Sequence, residues 1–216
     1  MVSMTQRAGR GEAWARWRVH MKEGGEPLCI ALANTHPLRE GATDQLARSE
    51  DLVAFAVRQG LCDEATRVRL AAHVNEHPRT AQAELVATHA VRSAILRLLL
   101  DPARGAAEDR ALLAREFEGA QRAIAVELSD GALLLRPRRD GTWLDTVRLM
   151  SAASASALLG SPQAANVRRC ADERGCGRLF VDATRNRSRR YCMSGECGNR
   201  ARQAAFRARQ RDARAR

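Results

Sequence analysis

Residues 170–200 read CADERGCGRLFVDATRNRSRRYCMSGECGNR, and the four cysteines in this stretch decide how the chain is organised. Cys170 and Cys176 are spaced C-x5-C, fifteen residues follow, and Cys192 and Cys197 complete the set as C-x4-C. In a cytoplasmic protein, two close pairs around an intervening segment read as a metal site before a pair of disulfides. Four thiolates suit zinc, which accepts an all-cysteine tetrahedral shell without a redox role. An iron–sulfur cluster is the metal alternative, and neither the spacing nor the basic setting supports it. A segment of about 50 residues with few apolar side chains does not bury a stable core alone, so one zinc ion would supply its folding energy. Leu179-Phe180-Val181 reads as a strand, Arg187-Ser188 as a turn, and Arg190-Tyr191 as the way back to Cys192. Residues 201–214 contain no Gly or Pro and are rich in Ala, Arg and Gln, which predicts a helix. Knuckle, hairpin, second knuckle and helix is the order of a treble-clef-like finger.

Charge divides the chain at the same place. The 216 residues carry a net charge of +11, and 166–216 hold 15 arginines against 5 acids, a net of +10. The preceding 165 residues are close to neutral. A basic segment on a neutral body suggests a polyanion partner, nucleic acid before acidic membrane. Lys22 is the single lysine, so the preference for Arg reflects the codon usage of a GC-rich genome; the clustering does not follow from codon usage. No unbroken apolar run exceeds six residues, as at Leu28–Ala33, which excludes a helical membrane span. Arg7, Arg10, Glu12, Arg16 and Arg18 interrupt the N-terminus where a signal core would lie, and the expected location is the cytoplasm.

Outside the basic segment the signals are mostly helical. Residues 1–12 read as disordered and partly a matter of start-site choice, and 14–21 as a short strand before a Gly24-Gly25 turn. Pro27 suits a first helical position, with a short buried helix after it ending near Asn34 and Thr35. Ser49 with Glu50 and Asp51 starts a second helix, and Gly60 stops it. A third begins at Asp63 and ends at Pro78. Residues 80–100 form the longest, with Leu85, Thr88, His89, Arg92, Ile95, Leu96 and Leu99 on its buried face. Asp101-Pro102 ends it, and 107–120 is a further helix. The period then changes to two: Ile124, Val126 and Leu128 alternate, Ser129-Asp130-Gly131 turns, and 133–136 returns. Asp140-Gly141 is another turn, and 143–159 is the last helix before Gly160-Ser161-Pro162. Cys29 and Cys62, alone among apolar neighbours, read as small buried hydrophobes. The organisation is an extension over 1–23, a mostly helical domain over 24–160, a linker over 161–166 and the finger over 167–216. The fold class is α+β, mostly helical, with one small antiparallel sheet in the N-terminal domain and a four-cysteine finger behind it.

At this point a family is recognisable. Cys197-Gly198-Asn199-Arg200, preceded by the run from Arg185 to Cys192, closely resembles the CGNR zinc finger, and Cys176-Gly177 with Leu179-Phe180-Val181-Asp182 is similar to it too. Upstream, Leu28-Cys29-Ile30-Ala31-Leu32-Ala33-Asn34-Thr35 resembles the start of the ABATE domain that usually precedes this finger. The resemblance runs from about residue 24 to 209. It implies Cys170, Cys176, Cys192 and Cys197 as ligands of one zinc ion, and a stress-induced transcription regulator of bacterial type. The first cysteine gap is one residue longer than usual for the family, and a longer knuckle loop still chelates.

On a helical wheel Arg200, Arg207, Arg211 and Arg214 fall within about 60° of one another, a stripe suited to a phosphate backbone or a major groove. Arg202 and Arg209 lie opposite, and Ala201, Ala204, Ala205 and Ala208 form a small-residue face expected to pack on the hairpin. Arg185, Arg187, Arg189 and Arg190 form a second basic cluster between the cysteine pairs. Asn199 either reads a base edge or caps the helix and braces the zinc loop, and Arg200 is the better nucleic-acid contact of the two. Tyr191 either stacks on a base or packs the hairpin.

Catalysis finds no support. His73 and His77 have i, i+4 ligand spacing, yet Glu76 is misplaced for H-E-x-x-H and Pro78 follows directly. His36 and His89 lack a visible nucleophile or acidic partner, and P-loop, dinucleotide and G-x-S-x-G patterns are absent from the sequence. The expectation is a cytoplasmic, zinc-dependent DNA-binding regulator, not an enzyme. Its N-terminal domain would sense a small-molecule effector, form a homodimer, or both. The alternative is a zinc-stabilised RNA-binding or protein-interaction module without sequence-specific DNA binding.

Overall fold

The computed structural model describes residues 26–39, 41–62, 64–101, 105–129, 132–137, 143–172 and 175–214. The expected strand over 14–21, the Gly24-Gly25 turn, Asp63, and the turn residues Asp130-Gly131 and Asp140-Gly141 lie outside them. Helix α1 (Leu28–Ala33) follows Pro27, which caps it from an extended conformation instead of opening its first turn. Helix α2 (Ser49–Arg58) begins where the carboxylate of Asp51 accepts the Arg48 N–H at 2.8 Å. It ends at Gly60, whose φ of +68° lets Gly60 N–H reach Val57 O and Leu61 N–H reach Ala56 O. That double closure needs a left-handed residue, which glycine takes without a steric cost.

Helices α3 (Glu64–Glu76) and α4 (Pro78–Leu100) are separated by His77 alone. Pro78, expected as the end of α3, is also the first residue of α4, where its missing N–H has no intrahelical partner to lose. Helix α4 is the axis of the body and packs against α1, α2 and α3, and against α5 (Ala107–Ala123) and α6 (Thr146–Leu159). This explains why its burial is wider than one amphipathic stripe. Leu85, Thr88, Arg92, Ile95, Leu96 and Leu99 are buried as expected, His89 is half-buried, and Ala81, Val91, Ala94 and Leu98 are buried as well. Arg92 sits in the core because Asp44 takes it in a fork at 2.7 and 2.6 Å and Thr35 Oγ accepts at 3.0 Å. Strands β1 (Ile124–Ser129) and β2 (Ala132–Pro137) pair antiparallel, from Ile124 opposite Pro137 to Ser129 opposite Ala132. A single 3-10 turn, Trp143–Asp145, leads into α6. Cys29 and Cys62 are buried, and burial pushes the Cys29 thiol up to about 11.

The segment expected as a linker is a 3-10 turn, Pro162–Asn166, opened by the Ser161 hydroxyl accepting the Gln163 N–H. It runs directly into β3 (Val167–Arg169), which pairs antiparallel with β4 (Leu179–Val181). The second sheet therefore encloses the first cysteine pair, whereas a hairpin between the two pairs was expected. Leu179 is buried within the main core formed by α1, α2, α4 and α6. No helix among the described residues is long and apolar enough to cross a membrane.

Candidate metal centre and basic surface

Cys170 follows β3 directly and is fixed across the hairpin by its N–H to Arg178 O at 2.8 Å. The first knuckle then folds around Asp172. Its carbonyl accepts from Cys176 N–H at 2.8 Å and Gly177 N–H at 3.2 Å, and its carboxylate accepts from Gly175 N–H at 3.1 Å. Gly177 has φ +72°, and a Cβ there would meet Leu38 O at 2.7 Å, so both backbone handedness and close approach call for glycine. The second knuckle is a π-helical turn, Ser194–Gly198, that carries Cys197 straight into α7 (Asn199–Arg214). Such i→i+5 turns are rare and concentrate at functional sites.

The four sulfurs lie within 4.8 Å of one another, and among the described residues they are the group of side chains able to hold a metal. Cys176 and Cys192 sulfurs are 3.4 Å apart, and Cys192 and Cys197 sulfurs 3.6 Å. A disulfide requires about 2.05 Å, and all four cysteines are unbridged. A tetrahedron with zinc–sulfur bonds of about 2.3 Å has edges of about 3.8 Å, and the donor set fits one zinc ion. The thiols alone resist ionisation together. Burial, then the neighbouring thiols, pushes Cys192 far up, while burial outweighs the help of Cys192 and holds Cys197 up at about 11. Burial also acts against the Cys170 thiolate, but N–H groups including that of Cys192, 3.4 Å from its sulfur, bring it below the ordinary thiol value. A bound dication would reverse the balance, so metal uptake releases protons and strengthens as pH rises.

Arg200 belongs to this centre. Its guanidinium pairs with Asp172 at 2.7–2.9 Å and donates to the sulfur of Cys197 at 3.1 Å. The expected nucleic-acid contact thus ties the start of α7 to the first knuckle and to a ligand sulfur. Arg189, exposed like Arg200, is also folded back onto the finger. It stacks on Phe180 with 5.0 Å to the ring centre, donates to Tyr191 O at 2.9 Å, and donates to Cys192 O. Buried Asp182 holds the loop that carries the basic cluster, accepting from Thr184 N–H and hydroxyl at 3.0 and 2.6 Å and from Arg189 N–H at 2.9 Å. These bonds, Thr184's hydroxyl first, hold its carboxyl below the usual range.

The other arginines of the expected interface are exposed as well. Arg185, Arg187 and Arg190 are exposed on the loop, with Arg187 at φ +48° and Arg190 lying 6.0 Å over the Tyr191 ring. Tyr191 itself is half-buried against the cysteine cluster, which fits a packing residue. Arg207, Arg211 and Arg214 are exposed along α7, and Asn199 is exposed at its start. The small-residue face is divided: Ala201 and Ala208 are half-buried, Ala204 and Ala205 are exposed, and no residue of α7 is fully buried. The helix is anchored at its first turn and stands away from the hairpin.

Sequence reasoning missed the residues that seat the finger on the body. Asn34 Nδ2 donates to Leu179 O at 3.0 Å and its Oδ1 accepts Leu179 N–H at 2.8 Å, so one amide side chain completes the edge of β4. Glu26 pairs with Arg178 at 3.1 Å, and Arg169 donates to Leu38 O at 2.8 Å. A buried asparagine after an apolar helix was the available sign, because a buried amide must find partners. The rings of His73 and His77 meet tilted at 48° with centres 4.6 Å apart, and no third ligand group joins them among the described residues.

Comparison with protein families gives two matches. Residues 26–162 match the ABATE family, described as "Putative stress-induced transcription regulator", and residues 166–210 match the CGNR zinc finger. Neither description is that of an enzyme family. No curated protein matches the chain.

Proposed function

The chain belongs to the ABATE family, with a CGNR zinc finger behind that domain, and from this premise we propose that it is a zinc-dependent DNA-binding transcription regulator. The observation that carries the reading is the stance of α7. A helix held by a ligand cysteine at one end and burying none of its residues presents Arg207, Arg211 and Arg214 to solvent. Such a helix serves a charged partner and not a core. The loop arginines Arg185, Arg187 and Arg190 add a second positive surface on the same zinc-fixed module, and Asn199 stands where a base-edge contact could form. Arg189 and Arg200 act in this reading as supports that hold the two surfaces in place. The N-terminal domain receives the signal, through an effector, a second copy of the chain, or both.

A second reading rests on Phe206, which is 54% exposed among the arginines of α7. An exposed aromatic in a basic helix suits stacking on unpaired bases, as in single-stranded nucleic acid. Duplex-DNA binding by the zinc-loaded protein and by Cys197→Ser, across a salt titration and against a random-sequence library, tests both. One enriched motif, lost together with the zinc, is the expected result. Tighter binding to single-stranded RNA than to any duplex would favour the second reading, and binding indifferent to zinc would defeat both.

A further inference from the structure

A cleft of about 360 Å³ opens where the finger meets the body, between the C-terminal half of α4, the loop at 36–38 and the β3–β4 hairpin. This volume is in the range of small-molecule sites, which run about 300–1,000 Å³. Its apolar walls are leucines, with Leu96 and Leu179 buried and Leu100 half-exposed at the mouth. The polar lining is Arg97, Arg169, His36 and Ser93, with no acid. The two guanidiniums differ. Arg97 is held in a fork by Asp109 at 2.8 and 2.6 Å, which neutralises it. Arg169, an exposed residue at the edge of the cleft, donates to the Leu38 carbonyl at 2.8 Å and has no carboxylate partner among the described residues. His36 is kept below its ordinary value by burial and then by the charge of Arg92, so it adds little positive charge at neutral pH.

We propose that this cleft binds a small amphipathic monoanion, a carboxylate or sulfonate on an apolar skeleton. Arg169 is the charge partner, Ser93 and His36 supply hydrogen bonds, and the leucines take the skeleton. An arginine without a carboxylate partner among the described residues, set beside apolar walls, favours an anion with an apolar body over a neutral solute. The site also lies at a junction. Arg169 immediately precedes the ligand Cys170, and Leu179 is the residue that Asn34 grips. An occupant would therefore touch both the body and the strands that carry the finger. This inference rests on the reading of the N-terminal domain as the sensing part and is independent of whether the finger binds DNA.

The test uses the zinc-loaded full chain without DNA. The anionic probe is 8-anilinonaphthalene-1-sulfonate, with the neutral N-phenyl-1-naphthylamine as its counterpart. Both are titrated by fluorescence against the parent protein, Arg169→Gln, Arg169→Lys and Ser93→Trp, each first shown to melt cooperatively and to hold one zinc. The expected result is saturable binding of the sulfonate at one site. Arg169→Gln should weaken it about ten-fold or more, Arg169→Lys should largely preserve it, and Ser93→Trp should abolish it. The neutral probe should be indifferent to Arg169. Sulfonate binding unchanged in both Arg169→Gln and Ser93→Trp, or no saturable binding at all, would overturn the site. Either result leaves the DNA-binding reading to its own experiment, and a protein that binds the probe here but no DNA would retain the site and lose the regulator.

Discussion

At the scale of single residues, the two arginines tied back to the finger carry the sharpest expectations. Arg200 donates to the sulfur of Cys197 and closes on Asp172, so Arg200→Ala should lower zinc affinity by about 10–100-fold, the usual effect of losing a hydrogen-bonding partner of a ligand. Competition with a chromophoric chelator measures it, and an affinity equal to the parent's would return Arg200 to the surface stripe. Cys197→Ser removes a ligand outright and should abolish stoichiometric zinc, read by metal analysis after gel filtration. Asp145 gives a pH test. Burial, then the nearby charge of Glu84, pushes its carboxyl up to about 6. A raised folded value means that the native state holds the proton more tightly than the unfolded chain. Its contribution is intact below about pH 4 and is lost as pH rises through about 6. Asp145→Asn should therefore raise Tm at pH 7.5 by about 2–4 °C, the equivalent of about 1 kcal/mol in a chain of this size, and leave Tm unchanged near pH 4. Such a local imbalance was not legible in the sequence, because Glu84 is 61 positions from Asp145 and only packing brings α4 against the turn before α6.

Among the elements, α7 and β4 are opposites. Helix α7 has no fully buried residue, so its stability comes mainly from its own alanines and arginines and from its anchored first turn. Replacing Arg207, Arg211 and Arg214 together by Ala should leave zinc content and Tm unchanged. The slope of log K against log salt for duplex binding should flatten by about 0.9 for each phosphate that these side chains no longer neutralise. An unchanged slope, measured by fluorescence anisotropy, would remove this helix from the interface. The helix itself was legible from composition, since a run free of Gly and Pro and rich in Ala has few other conformations open to it. That Ala204 and Ala205 stay exposed was not, because an alanine face is equally suited to packing and to exposure. Strand β4 was legible as Leu179-Phe180-Val181, but its partner was not. Two short apolar segments can pair around either cysteine couple, and the choice of β3 depends on hydrogen bonds that Asn34 and Leu38 make from far away in the chain.

Over the whole molecule, the finger is seated in the body and does not trail from it. Leu179 lies in the main core, and the Asn34 amide would be left without its strand if the hairpin came away. Each buried polar group so orphaned costs about 1–3 kcal/mol. Chelating the zinc should therefore lower the melting temperature of the helical body as well, in one transition followed by far-UV circular dichroism. Two transitions, with the helical one unmoved, would make the finger an independent unit. What the sequence determined by itself was local or compositional: the helices, from periods and stop signals, the metal, from four cysteines at knuckle spacing, and the basic character of the last quarter. These depend on neighbours along the chain, and a metal ion needs ligands of the right kind more than it needs a particular fold. The tertiary structure alone decided which arginines are tied back to the finger, where the second hairpin pairs, and that the two parts share a core. The arginine contacts and the hairpin join residues up to 28 positions apart, and the shared core joins residues more than a hundred apart, such as Asn34 with Leu179. No local pattern encodes such a pairing until burial forces each polar group to find its partner.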